Sequence, residues 1–225
     1  MNNSWIVNNY LEYIEASFPN YYVNLSEDKL DELKELYYSV NDIFVMCSYF
    51  NRNEYQSKNY LNLINEFKSY SSRLLLVAPI NDKFLVDSIL RLLTEKLYRI
   101  LYADNHTHLL ESSIRNHERR KMGMRLMGKL EKKAELDNLY SEYSELIHHS
   151  NPTTTDLLNF RQLSKVDIEL IAYISERVEI LKEIFIIDFF IPKLRVNKLD
   201  LASKMILKNQ LKYQTSKTFE ELNII

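Results

Sequence analysis

The sequence predicts an all-α fold, a single-domain multi-helix bundle of about seven to nine helices. Three observations carry this. First, the 225 residues include only two glycines, Gly123 and Gly128, and four prolines. A β-rich chain of this size needs many turns with positive φ, and glycine usually supplies them. Second, apolar residues recur at three- and four-residue steps along most of the chain, the period of an amphipathic helix. Third, 46% hydrophobic and 27% charged residues is an ordinary globular balance, and the chain is long enough to bury a sizeable core.

The same counts exclude function classes. Dinucleotide and P-loop folds gather several glycines in one short stretch so that backbone N–H groups can approach phosphate, and no such stretch exists here. The single cysteine, Cys47, lies in the apolar run Ile43–Cys47, which points to core packing and excludes both an internal disulfide and a cysteine-based zinc site. A reducing, cytoplasmic location is expected, since Met1–Trp5 has no signal-peptide pattern. No membrane span is expected either. The most apolar stretch, Ile180–Ile191, is short and is interrupted by Lys182, Glu183 and Asp188. The net charge of −2 sets up no global attraction for nucleic acid, so any basic surface must be local.

In chain order, Trp5–Phe18 reads as the first helix, ending before Pro19. Ser26, followed by Glu27 and Asp28, reads as an N-cap opening a helix to about Phe50, with Leu33, Leu36, Val40 and Ile43 on its inner face. A helix is expected over Glu54–Val77, stopped by Pro79, and another over Lys83–Tyr102, capped by Asp82. The segment from Ser113 to Lys133 is helical in propensity but locally basic and holds both glycines. Glu135–His149 follows as a helix, and Asn151-Pro152-Thr153-Thr154-Thr155 is the clearest loop. Ser164 with Asp167 opens a long helix to about Phe190, which Pro192 terminates. Asn197–Lys212 is the last helix, and residues 213–225 read as a frayed tail.

Few residue constellations rise above this background. Glu145–His148 is one Glu-x-x-His pair, but a di-metal bundle site needs two, so no metal or other cofactor is expected. Arg91 and Glu95 stand four apart on an otherwise apolar helix, either as a surface ion pair or as a partly buried pair orienting a polar site. His106 and His108 flank a helix end, and Arg99 lies two turns before His106. His148 and His149 close a helix, where a cationic imidazole meets the negative end of the dipole. The basic run from Arg115 to Lys133, including Arg119 and Arg120, is either a solvated face or a contact for nucleic-acid backbone.

Two segments together resemble a known family. Ser88–Tyr102, with Arg91, Glu95 and its run of Leu and Tyr, is similar to a helix of HEPN-like helical proteins. Leu139–Ser150, with Tyr143 and Ser144 one turn before His148, resembles their later helix, and residues 82–150 would form the HEPN-like core segment. Arg99 and His106 stand at the long end of that family's Arg-to-His spacing, with Ile100 where a polar residue is usual. The resemblance implies a homodimeric bundle acting as a metal-independent ribonuclease in phage defence or as a toxin, with RNA as substrate and a defence-system protein as partner. It also admits a non-catalytic adaptor or nucleotide-sensing module.

In the ribonuclease reading, His148 serves as base or acid, with His106 as a second candidate. Arg91 or Arg99 binds phosphate, and Glu95 orients an arginine. Tyr143, Ser144 and His149 line the cleft, and Arg119 and Arg120 touch RNA backbone.

Overall fold

The computed structural model describes residues 4–105, 131–149, 166–196 and 199–225, and among these there is helix and no strand. Helix α1 spans Ser4–Ser17 and α2 Pro19–Val23, so Pro19 ends one helix and begins the next at a position where its missing N–H costs nothing. Helix α3 runs from Glu27 to Tyr49. Ser26 takes the extended backbone of an N-cap there, but its hydroxyl makes no capping bond. The helix expected from Glu54 begins only at Leu61, after a 3₁₀ turn at Asn53–Tyr55; α4 is Leu61–Val77. The aromatic packing of Tyr55 and Tyr60 on Phe50 holds this connection in a turn despite its helical propensity.

Asn81, at φ 58°, reverses the chain into α5, Lys83–Asn105, whose first turn is capped by Asp82 accepting from the Leu85 N–H at 3.1 Å. Helix α6 is Lys133–His149, and α7 is Ile168–Phe185 with Asp167 as its cap, 3.0 Å from the Leu170 N–H. Beyond Phe185 the chain continues through a π-helical turn, Ile186–Phe190, into α8, Ile191–Val196. Pro192 therefore does not end the helix. The wider π turn, closed by the Ile191 N–H on the Ile186 carbonyl, removes the crowding that a proline ring makes inside a regular α-helix. Helix α9 is Leu201–Gln210, capped by Asp200, and α10 is Tyr213–Glu221. Residues 213–225 are thus not a frayed tail, for α10 buries Phe219 completely.

Helix α7 lies at the centre, against α3, α5 and α6, and buries Leu170, Ile171, Ile174, Val178, Leu181 and Phe185 there, with Glu176 and Glu183 on its outward face. It runs parallel to α3, since Ser39 meets Glu179 and Asp42 meets Lys182. Helices α5 and α6 are antiparallel, with Arg91 beside Tyr140 and Tyr98 beside Asp137. One core continues through all of these layers. Its densest part is aromatic: Phe50 touches Tyr55, Phe189 and Phe190 at ring separations of 5.1, 5.2 and 5.7 Å, and Phe190 stacks on Phe219 at 5.7 Å. Cys47 is fully buried in this core, as its apolar neighbours predict. Among the described residues, no helix is long and apolar enough to cross a membrane.

Candidate functional site

Helices α5 and α6 bring some of the expected site residues together and separate others. Arg91 donates to Glu95 at 3.3 Å and to the Tyr140 hydroxyl at 2.6 Å, and its guanidinium carbon lies 3.8 Å from the centre of the Tyr140 ring. The Arg91 and Glu95 side chains are only 15% and 19% exposed, so this is the partly buried pair rather than a surface one. Tyr98 continues the seam by donating to Asp137, which also pairs with Lys133. Towards the start of α5, Asp87 accepts from Lys83 and from the Tyr173 hydroxyl, each at 2.9 Å, and Arg177 pairs with Glu142 at 3.1 Å.

The other expected residues stand apart from this pair. Tyr143 does not line a cleft: it is fully buried, and burial pushes its phenol well above the usual range. Ser144 turns its hydroxyl inward, where it meets no hydrogen-bond partner among the described residues. Arg99 is half-buried two turns beyond Arg91. His148 and His149 belong to the last turn of α6, as expected, at the end of the seam near Lys83. At 1.5 Å per residue, the backbones of Arg99 and His148 are roughly 20 Å apart along the seam, whereas Arg91 and His148 are on the order of 10 Å apart. His106, Arg119 and Arg120 lie outside the described residues.

The seam is therefore a closed helix–helix contact in which Lys83, Arg91, Lys133 and Arg177 are each engaged by a carboxylate. Arg91→Ala is expected to lower stability by roughly 1–3 kcal/mol. Arg91→Lys should recover little of this, because an ammonium cannot both fork and stack. Urea unfolding of the two variants checks it; a change in midpoint within error for Arg91→Ala would count against the seam as described.

A second polar cluster joins α3, α7 and α10, and the sequence reading missed it. Asp42 is completely buried and accepts from the Lys212 backbone N–H at 2.7 Å and from the Thr215 hydroxyl at 2.5 Å. Lys182 Nζ, itself buried, lies 3.4 Å from Asp42 and 2.7 Å from Glu179. Burial holds the Asp42 carboxyl above the usual carboxylate range even though Lys182 and Thr215 pull it down. Burial also works to raise Glu179, but there Lys182, Ser39 and Lys212 prevail and bring it below its usual value. The available signal was a charge inside an apolar run: Asp42 before Ile43, and Lys182 between Leu181 and Ile184.

Beside this cluster the π turn opens a cleft of about 1130 Å³. Its floor includes Ile180, Ile187 and Ile191, and Lys182 and Thr215 reach it from the buried cluster. Glu176 and Glu183 alternate with Ile180 of α7 and Ile187 of the π turn along the outward face, and Asp188 of the π turn anchors the start of α6 by accepting the N–H groups of Glu131 and Lys132 at 2.8 and 3.1 Å. A π turn within an α-helix is frequently a mark of a functional site. No group of His, Cys, Asp and Glu among the described residues is arranged to hold a metal ion.

Comparisons with protein families, with curated proteins and with solved structures find no match to this chain. The class these residues define is an all-α multi-helix bundle with a charged, half-apolar cleft along its central helix.

Proposed function

We propose that the chain is a non-catalytic helical binding module, an adaptor or sensor, whose working surface is the cleft along α7 and the π turn. The state of Arg91 carries this reading. Metal-free RNA cleavage needs a cation free to meet the phosphate as charge builds on it. Arg91 would have to leave both Glu95 and Tyr140 to do so. The cleft, in contrast, has what a recognition surface needs: an apolar floor and a few placed charges. The spacing of Glu176, Ile180 and Ile187 fits a basic amphipathic helix of a partner protein, laid with its apolar face on the isoleucines, while Glu183 is held by Lys132 at 3.0 Å. The HEPN-like resemblance is compatible with this, since such families are similar in including interaction modules beside ribonucleases.

Two experiments test the proposal. Varied RNAs incubated with the protein in EDTA are expected to stay intact, for wild type and for His148→Ala alike. Cleavage that His148→Ala or Arg91→Ala abolishes would establish the ribonuclease reading instead. A labelled peptide with Lys and Leu at helical spacing is expected to bind wild type. Glu176→Lys combined with Ile187→Lys should weaken it by about tenfold or more. Equal binding by that variant would remove the cleft from the proposal.

A further inference from the structure

Next to the cleft, and sharing Ile191, Arg195 and Leu222 with it, is a separate groove of about 400 Å³. It lies between α8, the start of α9 and the turn that follows α10. Its volume falls in the range of small-molecule sites, roughly 300–1,000 Å³. Apart from Asn223 and two cations the lining is aliphatic: Ile191 and Leu194 from α8, Leu199 from the connection, and Leu222 and Ile224 from the turn after α10.

Two cations stand on its rim, Arg195 and Lys204. Their neighbours in the chain are spoken for. Lys193 pairs with Asp104, Lys208 with Glu220, and Lys212 with Glu35 and Glu179. Arg195 and Lys204 make no ion pair with any described residue, and no carboxylate side chain is among the described residues that line the groove. An aliphatic trough closed by two uncompensated cations is complementary to an amphipathic anion. The guanidinium fork of Arg195 can take both oxygens of a carboxylate, Lys204 can add a point charge, and the alkyl body would displace water from the isoleucines and leucines.

We infer that this groove binds an aliphatic monocarboxylate of medium chain length, with its headgroup on Arg195 and Lys204 and its chain on Ile191, Leu194 and Ile224. The site extends the binding-module reading to a ligand class, and it stands independently of whether RNA is cleaved.

Calorimetric titration at neutral pH with hexanoate, octanoate and decanoate, each below its self-association concentration, tests the inference. Each added methylene is expected to tighten binding roughly fourfold, so decanoate should bind about fifteenfold tighter than octanoate. Decanol and decyltrimethylammonium, which keep the chain and lose or reverse the charge, should bind at least about tenfold more weakly than decanoate. Arg195→Glu with Lys204→Glu should cause a similar loss, whereas Lys29→Glu, a charge reversal near the start of α3, should change nothing. These are side chains at or near the surface, so the variants are expected to fold, and circular dichroism confirms it.

The inference is overturned by absence of saturable decanoate binding to wild type, by equal binding of decanol, or by binding that survives the double reversal. It is also overturned if the protein binds anionic phosphatidylglycerol vesicles without saturable decanoate binding, which would make this face a membrane contact. Failure with decanoate while RNA stays intact would remove the groove and leave the binding-module reading. Decanoate binding together with RNA cleavage lost in His148→Ala would remove that reading and leave the groove.

Discussion

Asp42→Ala is expected to destabilise the protein by about 3–5 kcal/mol, the usual cost of removing one partner of a buried ion pair. The reason lies in what the carboxylate holds. Asp42 lies completely buried on α3, and it receives the Lys212 N–H, the Thr215 hydroxyl and the Lys182 ammonium. Without it, Lys182 keeps only Glu179 and Thr215 as partners in a site almost closed to water. The first turn of α10 also loses two of its ties to α3; what remains there is the ion pair of Lys212 with Glu35, and, at the end of α9, Asn41 donating to the Gln210 carbonyl at 2.9 Å.

Two further results should accompany the loss of stability. Limited trypsin digestion should cut Asp42→Ala within α9, at Lys204 or Lys208, and within α10, at Lys217, faster than wild type, because these helices are released before the rest of the bundle. The double variant Asp42→Leu with Lys182→Met should recover most of the loss, since an apolar pair of similar volume carries no desolvation cost. Chemical unfolding of the three variants is the measurement. A change below about 1 kcal/mol for Asp42→Ala would mean that the cluster contributes no more than an exposed pair.

Phe190→Ala should be of comparable size, about 3–5 kcal/mol, as for other large-to-small changes in a closed core. Phe190 is fully buried at the end of the π turn and lies within 5.7–6.1 Å, ring to ring, of Tyr49, Phe50, Phe185 and Phe219. It therefore joins α3, α7 and α10 at one point, and truncation would leave a cavity that no single helix can shift to fill. Phe190→Leu should cost much less, about 1.5 kcal/mol or under, because most of the volume is kept. A double-mutant cycle with Phe219→Ala should give a coupling of about 0.5–1.5 kcal/mol, the usual value for an aromatic pair. A coupling near zero would show that α10 does not rest on Phe190 in solution.

The aromatic and aliphatic stripes were legible in the sequence because helix periodicity is local: Leu33, Leu36, Val40 and Ile43 mark the inner face of α3 with no knowledge of what packs there. Caps were legible for the same reason, and Asp82 and Asp167 each bind the N–H three residues on. Pro192 and residues 213–225 were misread because their conformation depends on distant partners. A proline is tolerated in a helix when a π turn precedes it, and α10 looks too polar to hold alone until Phe219 finds Phe190 and Thr215 finds Asp42.

The same division separates the two candidate sites. The Arg91–Glu95 spacing was visible along one helix, but Tyr140, which shares the arginine with Glu95, comes from a helix 49 residues on. The cleft, the Asp42–Lys182 cluster and the groove at Arg195 and Lys204 join elements separated by up to 173 residues, and local period carries no information about such pairings. What the sequence determined by itself was the helical class and most inward faces, since these follow from backbone hydrogen bonding and a 3.6-residue repeat. The tertiary structure alone decided which charges are buried together and which are left facing a groove, since that depends on how the helices pack rather than on any one of them.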